Sequence, residues 1–416
     1  MKNNSIQRLK SSQLDLVILA GGKGSRIKKY LKGLSKPMSR FNNKYFIEYI
    51  IQNYSKYNFN KIYILTGYRS SNIFKKFHKK IYNFIEIECL KEKKLLGTGG
   101  ALHILKKKKV KDFILLNGDT IFDINLNDLI KSKKKNSLGS IALIKNISNK
   151  NNKKLNNLKI SNNHLSYHKN GLLMNGGIYY FKKDIFKYIK NRNISLENEI
   201  LPNLINKKII SGKKFDQFFF DIGSPKNFIK ANKILYKHFY KPAVFLDRDG
   251  VINFEKGYVN KKKDFKFRPG VVKGLKLLSK HNYYIFIVTN QAGIGKKIFT
   301  LDDFNKLHVF IKEQLQNKNI FIDNVSFSPF HPDAKIKKYK KNSYTRKPGN
   351  LMIERIKKRW HINVSKSFMI GDQNSDKICA KKSGLYFEFA KKNFYHQAKL
   401  IVRKIEMPLF FNFFNH

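Results

Sequence analysis

The chain predicts an α/β protein of two domains, 1–240 and 241–416, each a mostly parallel sheet flanked by helices. Three observations carry this. Short apolar runs alternate with helix-compatible stretches along 416 residues, a length beyond one ordinary core. The pattern restarts at Lys241-Pro242, where a fresh apolar strand begins with little linker. In both halves the apolar runs end in glycines or carboxylates, where open α/β sheets carry their chemistry. No internal repeat relates the halves.

Taken in order, Leu14 to Ala20 reads as a buried strand running into Gly21-Gly22-Lys23-Gly24-Ser25-Arg26. Glycines let a ligand approach the backbone, free N–H groups can bind phosphate, and a helix is expected to follow. Alone the loop is a weak signal. Ile27 stands where a dinucleotide fingerprint needs its third glycine, the loop is not a Walker motif, and a plain tight turn stays open. Asn60 to Thr66 and Asp112 to Leu116 read as further strands, the latter followed by Asn117-Gly118-Asp119, and Leu96 to Ala101 as a glycine-rich turn. Lys131 to Lys135 and Asn146 to Asn157 read as solvated loops, and Gly177 to Phe181 resumes strand character. In the second half, Ala243 to Leu246 leads into Asp247-Arg248-Asp249-Gly250. Tyr284 to Val288 leads into Thr289-Asn290-Gln291, and Ser367 to Ile370 into Gly371-Asp372.

Composition narrows the partners. Lys and Arg number 85 against 28 Asp and Glu, a net charge of +57 that attracts anions. Lys, Asn, Ile, Phe and Tyr are spread along the whole chain, which argues against a nucleic-acid groove and for small phosphorylated ligands. Cys89 and Cys379 lie far apart in unrelated contexts, so neither a disulfide framework nor a four-cysteine metal site can form, and a reducing cytoplasm is the expected location. Met1 to Gln13 lacks the apolar core of a signal peptide, and no apolar run approaches the ~20 residues that span a bilayer. The aromatic stretch Pro408 to Phe414 is short and is expected to pack on a domain or a partner subunit. No membrane partner is expected, and oligomeric state stays open.

More follows the first loop: Lys36-Pro37-Met38, Leu96-Gly97-Thr98-Gly99-Gly100-Ala101, Asn117-Gly118-Asp119, Asn175-Gly176-Gly177, Ser195-Leu196-Glu197 and Asp221-Ile222-Gly223. In this order, over residues 14 to about 230, the chain resembles the sugar-1-phosphate nucleotidyltransferases. Ser25 replaces their usual threonine and Ser35 their first proline. The resemblance implies that Gly21, Gly22, Gly24 and Ser25 cradle phosphate. Arg26 would hold the triphosphate and Lys36 would bridge phosphates. Asp119 and Asp221 would bind Mg²⁺, the hard cation that phosphate oxygens require. Gly97, Thr98, Gly99 and Gly100 would lie beside the base, and Gly177 and Glu197 beside the sugar. Taken alone, Glu197 is as readily a helix-surface carboxylate and Asp221 a turn residue.

In the second half, two carboxylates spaced one residue apart lie on the same side of an extended chain. Asp247 can attack phosphorus and Asp249 can donate and recover a proton. Such an attack on an anionic phosphate requires neutralising charge, which Lys347 in Arg346-Lys347-Pro348-Gly349 and a metal bound by Asp247, the Asp249 carbonyl and Asp372 would supply. Thr289 and Asn290 offer polar groups to the transferring phosphoryl, and Asp376 braces the loop. Four such ordered elements resemble the haloacid-dehalogenase superfamily of phosphohydrolases. Between Asp247 and Thr289 a strand and a helix leave no room for a large cap domain, so an open site is expected.

Gly257-Tyr258-Val259, Phe267-Arg268-Pro269-Gly270 and Gln291-Ala292-Gly293-Ile294-Gly295 resemble the heptose-1,7-bisphosphate 7-phosphatase and histidinol-phosphatase branch. That branch often holds a structural zinc beside its lysine. Here the corresponding positions are Ser328, Phe330, Ser343 and Thr345, so no zinc is expected and the loop must be ordered otherwise. The resemblance further implies that Arg346 meets a second substrate phosphate. Taken together, the two halves imply a sugar bisphosphate that loses its distal phosphate and is then joined to a nucleotide. The implied sugar is D-glycero-D-manno-heptose and the implied product GDP-linked, destined for an outer-envelope polysaccharide. A hexose-1-phosphate transferase joined to a different phosphatase is the alternative.

Overall fold

Leu16, Val17 and Ile18 are fully buried because both faces of their strand are covered and both of its edges are paired. Asp15–Leu19 pairs in parallel with Ile62–Thr66 on one side and Phe113–Asn117 on the other. Ile85–Lys91 extends this parallel centre beyond Ile62–Thr66. The other flank is mixed. Leu173–Phe181 runs antiparallel to Phe113–Asn117, Gly139–Lys145 joins it, and a hairpin of Leu158–Ser161 and His164–Tyr167 closes that margin of a ten-stranded sheet. A separate two-stranded ladder of Thr120–Phe122 and Phe219–Asp221 stands at the end where the parallel strands finish. The computed structural model describes residues 14–146, 157–161 and 164–406. Expectations for residues 1–13 and 408–414, and for most of the 146–157 loop, fall outside them.

The chain divides into two compact units between Lys233 and Ile234, inside the Pro225–Phe239 helix. The second unit is a five-stranded, wholly parallel sheet in the order Asn324–Ser328, Tyr284–Asn290, Ala243–Leu246, Phe368–Gly371, Tyr386–Phe389. Its central strand reads as four consecutive buried apolar residues, the signature of a strand covered on both faces. Registers of Leu246 with Ile287 and with Ile370 bring three strand ends to one level. One departure from the sequence reading concerns Gly97–Ala101, which forms a helical turn. Glycine is a poor helix former, but the tight packing of this turn excludes side chains. A Cβ at Gly100 would stand 2.5 Å from the Arg192 carbonyl oxygen, and one at Gly99 2.6 Å from Ile200.

Candidate active sites

In the first unit, a cavity of about 620 Å³ opens where the parallel strands end. Its lining includes Gly21, Gly22, Lys23, Arg26, Lys36, Gly97, Thr98, Asn117, Asp119 and Glu197. Gly24 adopts a left-handed backbone (φ 65°), and Ser25 opens the short Ser25–Tyr30 helix that carries Arg26. Neither Gly24 nor Ser25 is among the residues lining the cavity. A Cβ at Gly24 would meet Leu31 at 2.8 Å, so this glycine lets the loop close over the helix behind it. Lys36 pairs with Asp119 at 2.7 Å. Asp221 is brought beside Asp119 by the short ladder, in which Asp221 pairs with Thr120 and the Ile222 N–H donates to the Asp119 carbonyl. The Asp221 carboxylate accepts from the Gly223 N–H and from Asn227, at 2.9 and 3.0 Å.

The structure assigns some expected groups elsewhere. Gly99 and Gly100, expected beside the base, are buried against residues 192–196, with the Gly99 N–H donating to the Ile194 carbonyl. Thr98 lines the cavity but spends its hydroxyl on protein: it donates to Glu197 at 2.6 Å and accepts from the Leu196 N–H. This fixes Glu197, and the alternative of a free helix-surface carboxylate falls. Gly177 (φ 73°) is not a cavity-lining residue; it makes room for the Asn117 amide, which a Cβ there would crowd at 3.0 Å.

Two lining residues had no role assigned from the sequence: Asn117, although it opens the Asn117-Gly118-Asp119 motif, and Glu92, which lies in no motif. Asn117 has a buried amide oxygen with no hydrogen-bond partner. Glu92 lies in the wall at the carboxyl end of Ile85–Lys91, only 8% exposed. Its carboxylate accepts from the Leu96 N–H, and burial raises its pKa above the ordinary value. The available signal was a lone acid just past a strand end, five residues before Gly97.

In the second unit the three strand ends deliver Asp247, Thr289 and Asp372 to one place, and Lys347 enters from a loop. The Lys347 ammonium is buried and touches Asp247 at 2.7 Å, Asp376 at 2.5 Å and the Val288 carbonyl at 3.0 Å. Burial opposes its charge, but the two carboxylates more than offset this, so its pKa lies above that of a free lysine. Burial also raises Asp247; Lys347 pulls it down, and Asp376 and Asp249 push it up again. Asp372 is raised by burial and by Asp376.

Carboxylate oxygens of Asp247, Asp372 and Asp376 lie within 4.8 Å of one another. Three carboxylates facing one lysine leave an excess negative charge of hard oxygen donors, which fits a divalent cation such as Mg²⁺. Asp376 is committed to Lys347 and to the Gln373 N–H, so Asp247 and Asp372 are the carboxylates available to such an ion. Gly250 (φ 74°) makes this approach possible, because any Cβ there would collide with the Asp372 carboxylate. Its carbonyl accepts from the Arg268 guanidinium.

Asp249 sits apart from the lysine cluster. Its carboxylate accepts from Arg248, from Asn253 at 2.9 Å and from Gln291 at 3.0 Å. Arg248 and Asn253 are fully buried. Asn290, expected at the phosphoryl group, spends both ends of its amide on the Lys347 backbone, at 3.0 and 3.1 Å. It sets the height of the lysine. Arg346 is half-buried and reaches toward the Phe330 carbonyl. Three of the four positions of the supposed zinc loop converge: Thr345 is hydrogen-bonded to Ser328 at 3.2 Å and to Ser343 at 2.8 Å, whereas Phe330 packs edge-on to Tyr339.

Comparison with known proteins separates the two units in the same way. A nucleotidyl transferase family model matches residues 16–165, and a polynucleotide kinase 3 phosphatase model matches residues 244–410. The chain is 38% identical over 145 residues to a D-glycero-beta-D-manno-heptose-1,7-bisphosphate 7-phosphatase of Rhodopseudomonas palustris, covering 35% of this chain and 81% of that protein. It is 36% identical over 143 residues to a D-glycero-alpha-D-manno-heptose-1,7-bisphosphate 7-phosphatase of Photorhabdus laumondii, covering 34% and 78%. Among solved structures, HddC from Yersinia pseudotuberculosis is 25% identical, with 53% of this chain and 99% of that one covered and a TM-score of 0.45. The protein is thus a nucleotidyl transferase domain followed by a phosphatase domain of the haloacid-dehalogenase type. Through that second domain it belongs to the heptose-1,7-bisphosphate 7-phosphatase family. Among the described residues, no helix is long and apolar enough to cross a membrane.

Proposed function

We propose that the chain makes a nucleotide-activated sugar in two consecutive steps, using residues 241–416 to dephosphorylate a sugar bisphosphate and residues 1–240 to activate the product. The observation that carries the reading is the convergence of Asp247, Asp372 and the buried Lys347 at the ends of adjacent parallel strands. In the first step an Asp247 carboxylate oxygen attacks the distal phosphorus. The ester P–O bond breaks, and the sugar oxygen leaves with a proton from Asp249, giving an aspartyl phosphate. Water then attacks that phosphorus and gives its proton to Asp249, releasing phosphate and restoring Asp247. Lys347 neutralises charge on the phosphoryl oxygens, and Thr289 donates its hydroxyl to one of them. A divalent cation held by Asp247, Asp372 and the Asp249 carbonyl would supply the remaining positive charge. Arg346 meets the phosphate that stays on the sugar.

In the second step the sugar 1-phosphate attacks the α-phosphorus of a nucleoside triphosphate and pyrophosphate leaves. Arg26 and Lys36 hold the phosphates, and Lys36 exchanges its Asp119 partner for them. Asp119 and Asp221 would hold Mg²⁺, and Glu197 receives the sugar. Glu92 supports guanine as the base. A carboxylate only accepts hydrogen bonds, and guanine presents two adjacent donors, N1–H and the N2 amine, on its pairing edge. The sugar favoured by the family is D-glycero-D-manno-heptose 1,7-bisphosphate.

Mass spectrometry of products tests this when the purified chain receives that bisphosphate with each nucleoside triphosphate in turn. The expected product is GDP-heptose. Asp247→Asn should stop at the bisphosphate, and Asp119→Asn should accumulate the 1-phosphate. Release of phosphate from some other ester but not from heptose 1,7-bisphosphate would overturn the substrate.

A further inference from the structure

Gln291 is absent from the mechanism above, yet its side-chain nitrogen stands between two groups that the mechanism needs. It lies 2.9 Å from the Thr289 hydroxyl and 3.0 Å from the Asp249 carboxylate, and the residue is 3% exposed. Its backbone is anchored separately, with the Gln291 N–H donating to the Ser328 carbonyl at 2.7 Å. The amide has only one acceptable orientation. Turned over, it would press its carbonyl oxygen against the Asp249 carboxylate, acceptor against acceptor. Both amide protons are therefore assigned, one to Asp249 and one to the Thr289 oxygen.

The assignment fixes the direction of a third hydrogen bond. A threonine hydroxyl has one proton, and an oxygen that is already accepting from Gln291 turns that proton elsewhere. Thr289 stands at the carboxyl end of its strand beside Asp247, so its proton is left for the incoming phosphoryl oxygen. The same amide holds Asp249 from a neighbouring strand, whereas Arg248 and Asn253 hold it from within its own loop. We propose that Gln291 is a positioning residue that couples the hydroxyl holding the phosphoryl group to the carboxyl protonating the leaving group. The proposal rests on the phosphatase reading of this site.

The test compares two phosphate monoesters in the intact chain: a sugar bisphosphate, whose alkoxide must be protonated to leave, and p-nitrophenyl phosphate, whose phenolate leaves unaided. Gln291→Met keeps the length and removes both donors. Its kcat on the sugar ester is expected to fall on the order of tenfold to a hundredfold, and to fall several-fold less on the aryl ester, because proton transfer to a leaving group contributes about 10² to 10⁴ in rate. Thr289→Val, which removes the phosphoryl contact and the acceptor for one Gln291 proton but leaves the Gln291–Asp249 hydrogen bond in place, is expected to lower both esters alike. If Gln291→Met lowers both esters by the same factor, the amide acts on the phosphoryl contact alone and the coupling is wrong; if it lowers neither, the amide only fills space. Should the methionine variant fail to fold, Gln291→Glu carries the same comparison, since it keeps the shape and sets an acceptor against Asp249. A wild-type chain that hydrolyses neither ester would instead sink the phosphatase reading, leaving the two failures distinct.

Discussion

Glu92 puts a carboxylate, almost out of water, into the wall of a cavity that glycines, the cations Lys23, Arg26 and Lys36, and the carboxylates Asp119 and Glu197 also line. Its neighbours explain how it is tolerated: the Leu96 N–H donates to one oxygen, and Gly21 leaves room beside the other, where a Cβ would stand at 3.3 Å. Pairing with two donors of a guanine edge would satisfy the remaining lone pairs, and hydrogen bonds to a charged group contribute about 1.5–3 kcal/mol each. Glu92→Gln replaces one acceptor by a donor and sets it against a guanine N–H. The preference for GTP over ATP, measured as the ratio of kcat/KM values, is expected to fall on the order of tenfold to a hundredfold. An unchanged ratio would remove Glu92 from base selection. At this scale the sequence revealed residues whose chemistry is announced by type and by position at a strand end, as for Asp247, Asp249 and Asp372. It concealed the roles of Glu92 and Gln291, whose meaning comes from the groups that the fold sets against them: the Leu96 N–H and Gly21 for Glu92, Thr289 and Asp249 for Gln291. Asn290 was legible as a polar group near the site, but not as the clamp on the Lys347 backbone.

The loop that carries Arg346 and Lys347 shows how an element can keep its shape with different chemistry. Ser328 ends a strand, Ser343 and Thr345 lie on the loop, and Thr345 sits between the two serine hydroxyls while almost fully buried. Three short hydroxyl side chains thus meet at positions to which the resemblance assigned a zinc site. The ordering is local, since the Arg346 N–H also donates to the Ser343 carbonyl and the Gly349 N–H to the Arg346 carbonyl. Thr345→Val keeps the volume and strands the fully buried Ser328 hydroxyl, while the Ser343 hydroxyl keeps the residue-345 N–H, at a cost of about 1–3 kcal/mol. For a domain of this size that corresponds to a fall in the melting temperature of the phosphatase unit of roughly 2–4 °C per kcal/mol. Calorimetry reads it directly, and an unshifted transition would show that the network adds nothing. A rise in KM for the bisphosphate without a matching loss of kcat is expected too, because Arg346 is the residue displaced. Strands were the most legible elements here, as continuous apolar runs such as Phe113–Asn117 and Ala243–Leu246 admit few other fates. The Gly97–Ala101 turn was not, because its helical state depends on residues 192–196 closing over it.

Across the whole molecule the dominant physical fact is a net charge of +57, distributed over both units. Charge of one sign spread this widely cannot specify a ligand by itself, and it adds self-repulsion to each unit. It can raise the local concentration of anything strongly anionic, and both proposed reactions consume such ligands. The contribution is long-range and therefore screened, with a Debye length near 10 Å at 0.1 M salt, whereas buried pairs such as Lys347–Asp247 are screened far less. This separates two kinds of kinetic constant. Raising salt from about 20 to about 200 mM is expected to raise KM several-fold for a sugar bisphosphate and less for p-nitrophenyl phosphate, with kcat for each nearly constant. A polynucleotide should inhibit at the low end of that range as a competing polyanion and lose its effect at the high end, without being turned over. Equal salt responses for the two esters would mean that the surrounding field is irrelevant to capture and that recognition lies wholly with the buried groups. Turnover of a polynucleotide 3′-phosphate at the high end would move the substrate class from sugar phosphates to nucleic-acid ends, because steering by the field is then suppressed and only the contacts of the site itself remain to choose.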